Sequence, residues 1–204
     1  MKYGTLNLGQ IEAMVNKLGG MDGVAKFLSG EIIVASPVTE ATIGTSLPIW
    51  KTIKLGTGPK TVKDFRRALE KDGCRVSDWV TDLLGKPAFS VAKEQIEVDL
   101  VKVTVAELGF PNGATVRDIY EAALKRGLVR CPNEVGPQLR RQYLGQPMGE
   151  WILVGMDPIA GSGGYLGVFR AVHDGDGRWL NGFSGHSGGV CDDDDSWVFV
   201  LPRK

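Results

Sequence analysis

The spacing of apolar residues predicts helices at the start of the chain. Four apolar residues recur at the i, i+3, i+4, i+7 spacing that puts side chains on one helical face: Ile11, Met14, Val15 and Leu18. Gly19-Gly20 ends this helix, and a second short helix is predicted around Val24, Phe27 and Leu28. Ile32–Val34 is predicted as a short strand.

The middle of the chain follows a strand-then-helix pattern. Trp50–Leu55 alternates apolar and polar residues, as a half-buried strand does, and a helix is predicted after Thr61. A further short helix is predicted after Ser77. The same order then recurs, with a β-branched strand over Val98–Val105, a helix after Thr115 and another over approximately Glu134–Leu144.

Two of these predicted helices have similar sequences. Thr61–Gly73 and Thr115–Gly127 match at six of thirteen positions, and each starts with Thr-x-x-Asp, the pattern of a helix N-cap. The similarity fits a duplicated strand, turn and capped helix. It equally fits convergence, since Thr-x-x-Asp and Gly are common helix boundaries.

The last quarter of the chain predicts four strands, namely 151–156, 166–172, 178–183 and 196–201. An Asp-Gly-Asp-Gly turn between the second and third strands is a hairpin signal. Five residues of the first and last strands are expected to be buried: Trp151, Ile152, Val154, Val198 and Val200. Short strands with tight turns are typical of an antiparallel sheet.

These elements predict an α+β protein. We expect a helix-rich N-terminal module with short strands at residues 1–92, and a C-terminal α+β domain with an antiparallel sheet at residues 93–204. The length of 204 residues suits one large domain or two small ones.

Composition narrows the function classes. The formal net charge is zero, which argues against a dedicated polyanion binder. The longest apolar runs are too short to span a membrane, and the N-terminus lacks the apolar core of a signal peptide. Three cysteines lie roughly sixty residues apart, which fits neither a disulfide framework nor a paired zinc site. We therefore expect a cytoplasmic protein with reduced thiols and no cofactor.

The glycine-rich C-terminal loops are the predicted binding surface. Gly and Asp permit tight turns, and aromatic residues in such turns supply rigid contact area. The residues expected to cluster at one exposed end of the sheet are Tyr165, Asp174, Asp176, Asn181, Phe183, His186, Asp192, Asp193 and Asp194, followed in the same acidic run by Asp195.

Catalytic and metal-binding alternatives have weaker support. Ser184, His186 and Asp192 supply the residue types of a hydrolytic triad without the glycines of a nucleophile elbow. His173, His186 and Cys191 lack the paired spacing of zinc ligands, and the Asp174 turn lacks the closing Glu of a calcium loop. No catalytic residue and no metal ligand is assigned.

Several strings carry a resemblance to known proteins. Residues 18–31, Cys131–Tyr143, Gly149–Ile159 and Asp176–Leu180 resemble a family of uncharacterised bacterial proteins. From Ile96 onward the predicted order is strand, helix, helix and then four strands. This order is similar to that of C-type-lectin-like domains, without their disulfide pair or calcium motif. This second resemblance implies a binding module with variable loops.

The sequence therefore predicts a non-catalytic module that binds a protein or glycan partner, without contact with a membrane. The alternative is a nucleic-acid-associated or regulatory protein. Residues 51–84 have the length of a helix-turn-helix unit and carry several lysines and arginines. A small hydrolase or metal enzyme is the third hypothesis.

Overall fold

The computed structural model describes residues 15–16, 18, 20–29 and 47–203. It divides the chain into two compact units, residues 1–46 and residues 47–204. Within the first unit, helix α1 spans Met21–Leu28, at the position where the second short helix is predicted. The strand predicted at Ile32–Val34 and the first part of the preceding helix lie outside the described residues.

The second unit is an α+β structure, as predicted. Its helices are α2 (Val62–Lys71), α3 (Asp78–Leu84), α4 (Val116–Lys125) and α5 (Val135–Gln142). Its strands are β1 (Lys51–Leu55), β2 (Cys74–Val76), β3 (Ile96–Thr104), β4 (Ala114–Thr115), β5 (Trp151–Val154), β6 (Ile159–Ala160), β7 (Leu166–Asp174), β8 (Gly177–Ser184), β9 (Val190–Cys191) and β10 (Ser196–Leu201). None of the helices in the described part of the chain is long and apolar enough to cross a bilayer.

One sheet organises this unit. Its strand order is β1-β3-β10-β5-β7-β8-β2, with β6 paired to β7, while β4 and β9 form a separate pair. The predicted antiparallel sheet is instead mixed, because β10 runs parallel to β5 and β2 runs parallel to β8. The boundary predicted at residues 92 and 93 falls inside this sheet, since β1 and β2 pair with strands from the second half of the chain. Such long-range pairing is invisible in local hydrophobic patterns.

The sheet has two faces that are covered differently. On the first face, α2, α3 and α5 pack against the strands, and Phe169 of β7 is in contact with Gly136 of α5 and with Phe89. On the second face, α4 packs through Tyr120 against Trp197 and Phe199 of β10. Strands β7, β8 and β2 keep part of their second face accessible, which is where the candidate site lies.

Both predicted N-caps are confirmed. The Asp64 amide donates to the Thr61 hydroxyl at 3.2 Å, and the Asp118 amide donates to the Thr115 hydroxyl at 3.2 Å. Thr115 is also the last residue of β4. Its extended backbone suits both a strand residue and a helix N-cap. The two capped helices lie on opposite faces of the sheet, so their similar sequences serve different packing environments.

The buried strand residues are mostly as predicted. Ile152, Val154 and Val198 are fully buried, and Val200 is half-buried. Trp151 is different, because 49% of its surface is exposed. As the first residue of β5, it lies on the second face beyond the cover of α4, so a continuous apolar run does not imply burial of every member.

A buried carboxylate fixes the start of α5 to two loops. Glu134 is 1% exposed and accepts hydrogen bonds from the amides of Gly56 and Ala92, at 2.9 Å and 2.8 Å. Gln138 donates a third bond at 2.9 Å. These bonds compensate the cost of burying the carboxylate, and they hold the turn after β1 beside the segment before β3.

Candidate functional site

The candidate site is the accessible part of the second sheet face, called here the open face. It is defined by Arg75, Trp151, Arg170, Trp179, Asn181 and Phe183. Residues alternate between faces along a strand, and on β8 the inward residues Leu180 and Gly182 are buried. The outward residues Trp179, Asn181 and Phe183 are only half-buried.

Close packing on the first face fixes the orientation of β8. The indole of Trp79 on α3 lies against Gly182, where an added Cβ would come within 2.7 Å of the ring. Leu180 fills the neighbouring inward position and is fully buried. A one-residue shift of β8 would exchange the two sets of side chains, so this packing directs the aromatic residues to the open face.

Three side chains stack across the centre of the open face. The Arg170 guanidinium lies 4.6 Å from the ring centroid of Trp151 and 5.6 Å from that of Phe183. The residues come from β5, β7 and β8, which are neighbours in the sheet. Stacking on aromatic rings leaves the hydrogen-bonding edge of a guanidinium available, so the stack presents both apolar area and donors.

A second row lies one register step away. Trp151, Val172 and Trp179 occupy paired positions on β5, β7 and β8. Arg75 on β2 pairs with Trp179, and its guanidinium lies 5.3 Å from that ring centroid. Two strand spacings separate the tryptophans, which is roughly 10 Å between their backbones. In this row, one indole therefore lies on each side of the buried Val172.

The central arginine is partly desolvated. Burial lowers the pKa of the Arg170 guanidinium, while the nearby Asp195 carboxylate acts in the opposite direction. Burial, together with Asp192 and Asp194, raises the pKa of Asp195. Within the described part of the chain, Arg170 Nε has no hydrogen-bond partner. Arginine stays protonated in proteins, so the open face carries a fixed positive charge.

The loop residues predicted for the site divide between the two ends of the sheet. On the β7–β8 hairpin, Gly167 pairs with Ser184 and Asp174 pairs with Gly177. These pairs are seven residue steps apart, or roughly 23 Å along the strands. The structure therefore does not bring all of the predicted loops together at one end.

The acidic residues lie at one end, and Tyr165 and His186 lie at the other. Asp174 and Asp176 occupy the turn that joins β7 to β8. Asp192, Asp193 and Asp194 precede β10, whose first residue Ser196 pairs with Ile152 next to Trp151. Tyr165 and His186 lie beyond the opposite ends of the same hairpin strands, while Asn181 and Phe183 are on the open face between them.

The Tyr165 loop is anchored to helix α3. The Asp82 carboxylate accepts bonds from the Ser162 amide and hydroxyl, both at 2.6 Å, and pairs with Lys86 at 2.8 Å. The hydrogen bonds from Lys86 and Ser162 lower the pKa of Asp82 to about 2. Lys86 also donates to the Ser162 hydroxyl.

The residues of the possible hydrolytic triad are not arranged for proton transfer. The Nδ1 atom of His186 accepts the Gly188 amide at 3.1 Å, within its own turn. The Asp192 amide is bonded to the Asp195 carboxylate at 3.0 Å, in the other acidic turn. Among the described residues, no group of three or more His, Cys, Asp or Glu side chains is placed to hold a metal ion.

The predicted helix-turn-helix region has a different architecture. Helices α2 and α3 are present, but β2 lies between them and pairs with β8 in the central sheet. A helix-turn-helix unit joins its helices by a short turn and presents the second in a groove of DNA. Here α3 packs through Trp79 against Gly167 and Gly182 of the sheet, which is the role of a core helix.

Four open-face residues are absent from the sequence-based site: Arg75, Trp151, Arg170 and Trp179. The glycine and aspartate pattern predicts binding by loops, whereas these residues lie on strands. The alternation of Trp179, Asn181 and Phe183 with Leu180 and Gly182 was a usable signal. The sequence contains no such signal for the stacking of Arg170 between two rings, because its aromatic partners lie on different strands.

Comparisons of the chain with models of protein families, with curated proteins and with solved structures find no match.

Proposed function

We propose that the protein is a non-catalytic binding module that contacts a protein partner through the open face. The observation that carries the proposal is the stack of Arg170 between Trp151 and Phe183 on an accessible part of the sheet. Tryptophan, arginine and tyrosine dominate the energetically important centres of protein interfaces.

The rigid setting of these side chains favours binding. They project from paired strands whose other face is packed against helices, so little conformational entropy is lost when they meet a partner. The polar acidic turns at one end match the hydrated rim that surrounds the centre of many interfaces. The arrangement offers contact area and fixed donors, but it does not assemble a nucleophile with a base.

The partner is proposed to be a protein because the open-face side chains project from four neighbouring strands of one sheet, β5, β7, β8 and β2. Ligand pockets for small molecules are concave and enclose most of the ligand.

An open depression of about 620 Å³ beside Phe89 and Val91 lies on another part of the unit. At its rim, Lys60 donates to the carbonyls of Gly56 and Ala92 at 3.1 Å. The predicted likeness to C-type-lectin-like domains and the glycan ligand stay predictions.

A pull-down with two matched double variants tests this proposal. Trp151→Ser with Phe183→Ser removes both rings of the stack, whereas Tyr165→Ser with His186→Ala alters the loops at the other end. We expect the first variant to lose the partners that the wild-type protein recovers from a cell extract, and the second to retain them. Far-ultraviolet circular dichroism checks that both variants are folded.

The alternatives have distinct outcomes in the same experiment. Loss of partners by the second variant alone would move the site to the Tyr165 and His186 loops. Equal recovery by all three proteins would exclude both surfaces. Retention of binding material after the extract is digested with proteinase K would indicate a glycan instead of a protein.

A further inference from the structure

The open face is bordered by two acidic turns at the same end. Asp174 and Asp176 lie in the β7–β8 turn, next to the pair formed by Val172 and Trp179. Asp192, Asp193 and Asp194 lie before β10, on the other side of Trp151. Trp151 therefore lies between the two groups of carboxylates, whereas the half-buried Trp179 lies between the β7–β8 turn and Arg75 of β2.

These carboxylates are not neutralised within the described part of the chain. None of the salt bridges there includes any of the five aspartates. The Asp174 side chain accepts the amide of Asp176 at 3.0 Å, while Asp192, Asp193 and Asp194 are exposed. The open face carries two positive charges, on Arg75 and Arg170. The five aspartates outnumber them, so this end of the surface is acidic.

The backbone gives the longer acidic turn a defined shape. The Ala106 amide donates to the Asp193 carbonyl at 2.8 Å, and the Val105 amide donates to the Asp195 carbonyl at 3.1 Å. The Asp195 side chain accepts the Asp192 amide, and Asp195 lies beside Arg170. These bonds hold the backbone of the turn, which carries the three exposed carboxylates, at the border of the open face.

From this arrangement we infer that the partner surface is a lysine- or arginine-rich polypeptide segment, an inference that rests on the proposed function. The two groups of aspartates supply opposite charge on both sides of Trp151, and the exposed part of its indole adds aromatic contact area for a cationic side chain. Charge complementarity of this kind accelerates association and selects among partners. A nucleic-acid backbone is negatively charged. The acidic turns would therefore repel it.

Synthetic probes of matched length test the charge preference. The probes are an acetylated decalysine peptide, a decaglutamate peptide and a ten-residue oligothymidylate, with binding followed by isothermal calorimetry on the full chain. We expect decalysine alone to bind. Its affinity should fall several-fold between about 50 mM and about 300 mM salt, because exposed charges are screened over that range.

Two variants with the same change in net charge locate the binding site. Asp192→Asn, Asp193→Asn and Asp194→Asn together should weaken decalysine binding by about fivefold or more, a change of the size expected for interface charges. The control carries Glu70→Gln, Glu94→Gln and Glu121→Gln, three exposed carboxylates on α2, on the loop before β3 and on α4. It should bind as the wild-type protein does.

Trp151→Ala with Trp179→Ala tests the aromatic contribution, and this variant should also bind decalysine more weakly. Equal weakening by both charge variants would show a nonspecific effect of net charge and would overturn the inference. Binding of decaglutamate or oligothymidylate in place of decalysine would overturn it as well. Either result leaves the proposed function intact if the pull-down still depends on Trp151 and Phe183.

A second copy of the chain is the remaining occupant. The exposed basic residues of α2 are Lys63, Arg66, Arg67 and Lys71. Sedimentation velocity at low salt distinguishes this case. Self-association that is lost in the Asp192, Asp193 and Asp194 variant would overturn the inference of a separate partner. A monomer under the same conditions supports it.

Discussion

Individual polar side chains connect distant parts of this sheet. Arg203 follows the last strand and forms a two-pronged contact with Asp99 of β3, Nε to Oδ2 at 2.7 Å and Nη2 to Oδ1 at 3.0 Å. Thr52 of β1 donates a third bond to Asp99 at 2.6 Å. Asp99 is 8% exposed. One carboxylate therefore links two strands and the end of the chain.

This cluster predicts a specific dependence of stability on acid. The hydrogen bonds from Arg203 and Thr52 lower the pKa of Asp99 from its ordinary value of 3.8 to about 2. A carboxylate with a lowered pKa in the folded state stabilises the fold fully at pH values above its unfolded-state pKa. This stabilisation is lost as the pH falls through its folded-state pKa. The contribution should therefore disappear between pH 3.8 and about pH 2.

Urea unfolding at a series of pH values measures this effect in wild-type protein and in Asp99→Asn. We expect the variant to be less stable at neutral pH, with the difference shrinking as pH falls through that window. Asp176→Asn, in the exposed β7–β8 turn, is the control and should follow the wild-type curve. A constant difference between wild type and Asp99→Asn down to pH 2 would contradict the assignment.

Local sequence signals define elements well in this chain. The Thr-x-x-Asp caps, the Asp-Gly hairpin and the four C-terminal strands all depend on neighbours within a few residues, and the structure contains each of them. The pairing of β2 with β8 and the insertion of β10 between β3 and β5 depend on residues far apart in sequence. No periodicity within one segment encodes such contacts.

The same distinction explains which site residues could be predicted. Phe183 and Asn181 could be named from the β8 segment, because both lie in a short alternating run. Trp151 was expected to be buried, since the run Trp151–Met156 is continuously apolar. Its exposure follows from its position beyond the cover of α4, which depends on how distant elements pack.

The two helix caps give a prediction at the scale of elements. Thr61→Ala and Thr115→Ala should each lower the free energy of unfolding by about 1 kcal/mol, because an orphan amide at the helix start loses its acceptor. Thermal or urea unfolding measures the change. Lys63→Ala and Lys125→Ala, exposed on α2 and α4, should change stability by less than about 0.5 kcal/mol. Equal losses in caps and controls would refute the capping role.

At the scale of the molecule, the second compact unit contains the whole sheet and both helical layers. Its core includes residues from β1, α2 and α3 as well as from the C-terminal strands. Glu134 of the second half bonds the amides of Gly56 and Ala92 in the first half. The stability of the open face therefore depends on residues on both sides of the boundary predicted at 92 and 93.

Two fragments test this dependence. A fragment of residues 47–204 retains the sheet and its helices, so we expect cooperative thermal unfolding and a near-ultraviolet circular dichroism spectrum from ordered tryptophans.

A fragment of residues 93–204 lacks β1, β2, α2 and α3. It would expose Phe169 and Leu180, which the missing elements help to bury, and would leave the Glu134 carboxylate without its backbone donors. An uncompensated buried charge and lost apolar burial are each strongly destabilising. We therefore expect this shorter fragment to lack a cooperative transition, and cooperative unfolding of residues 93–204 alone would instead support two separate domains.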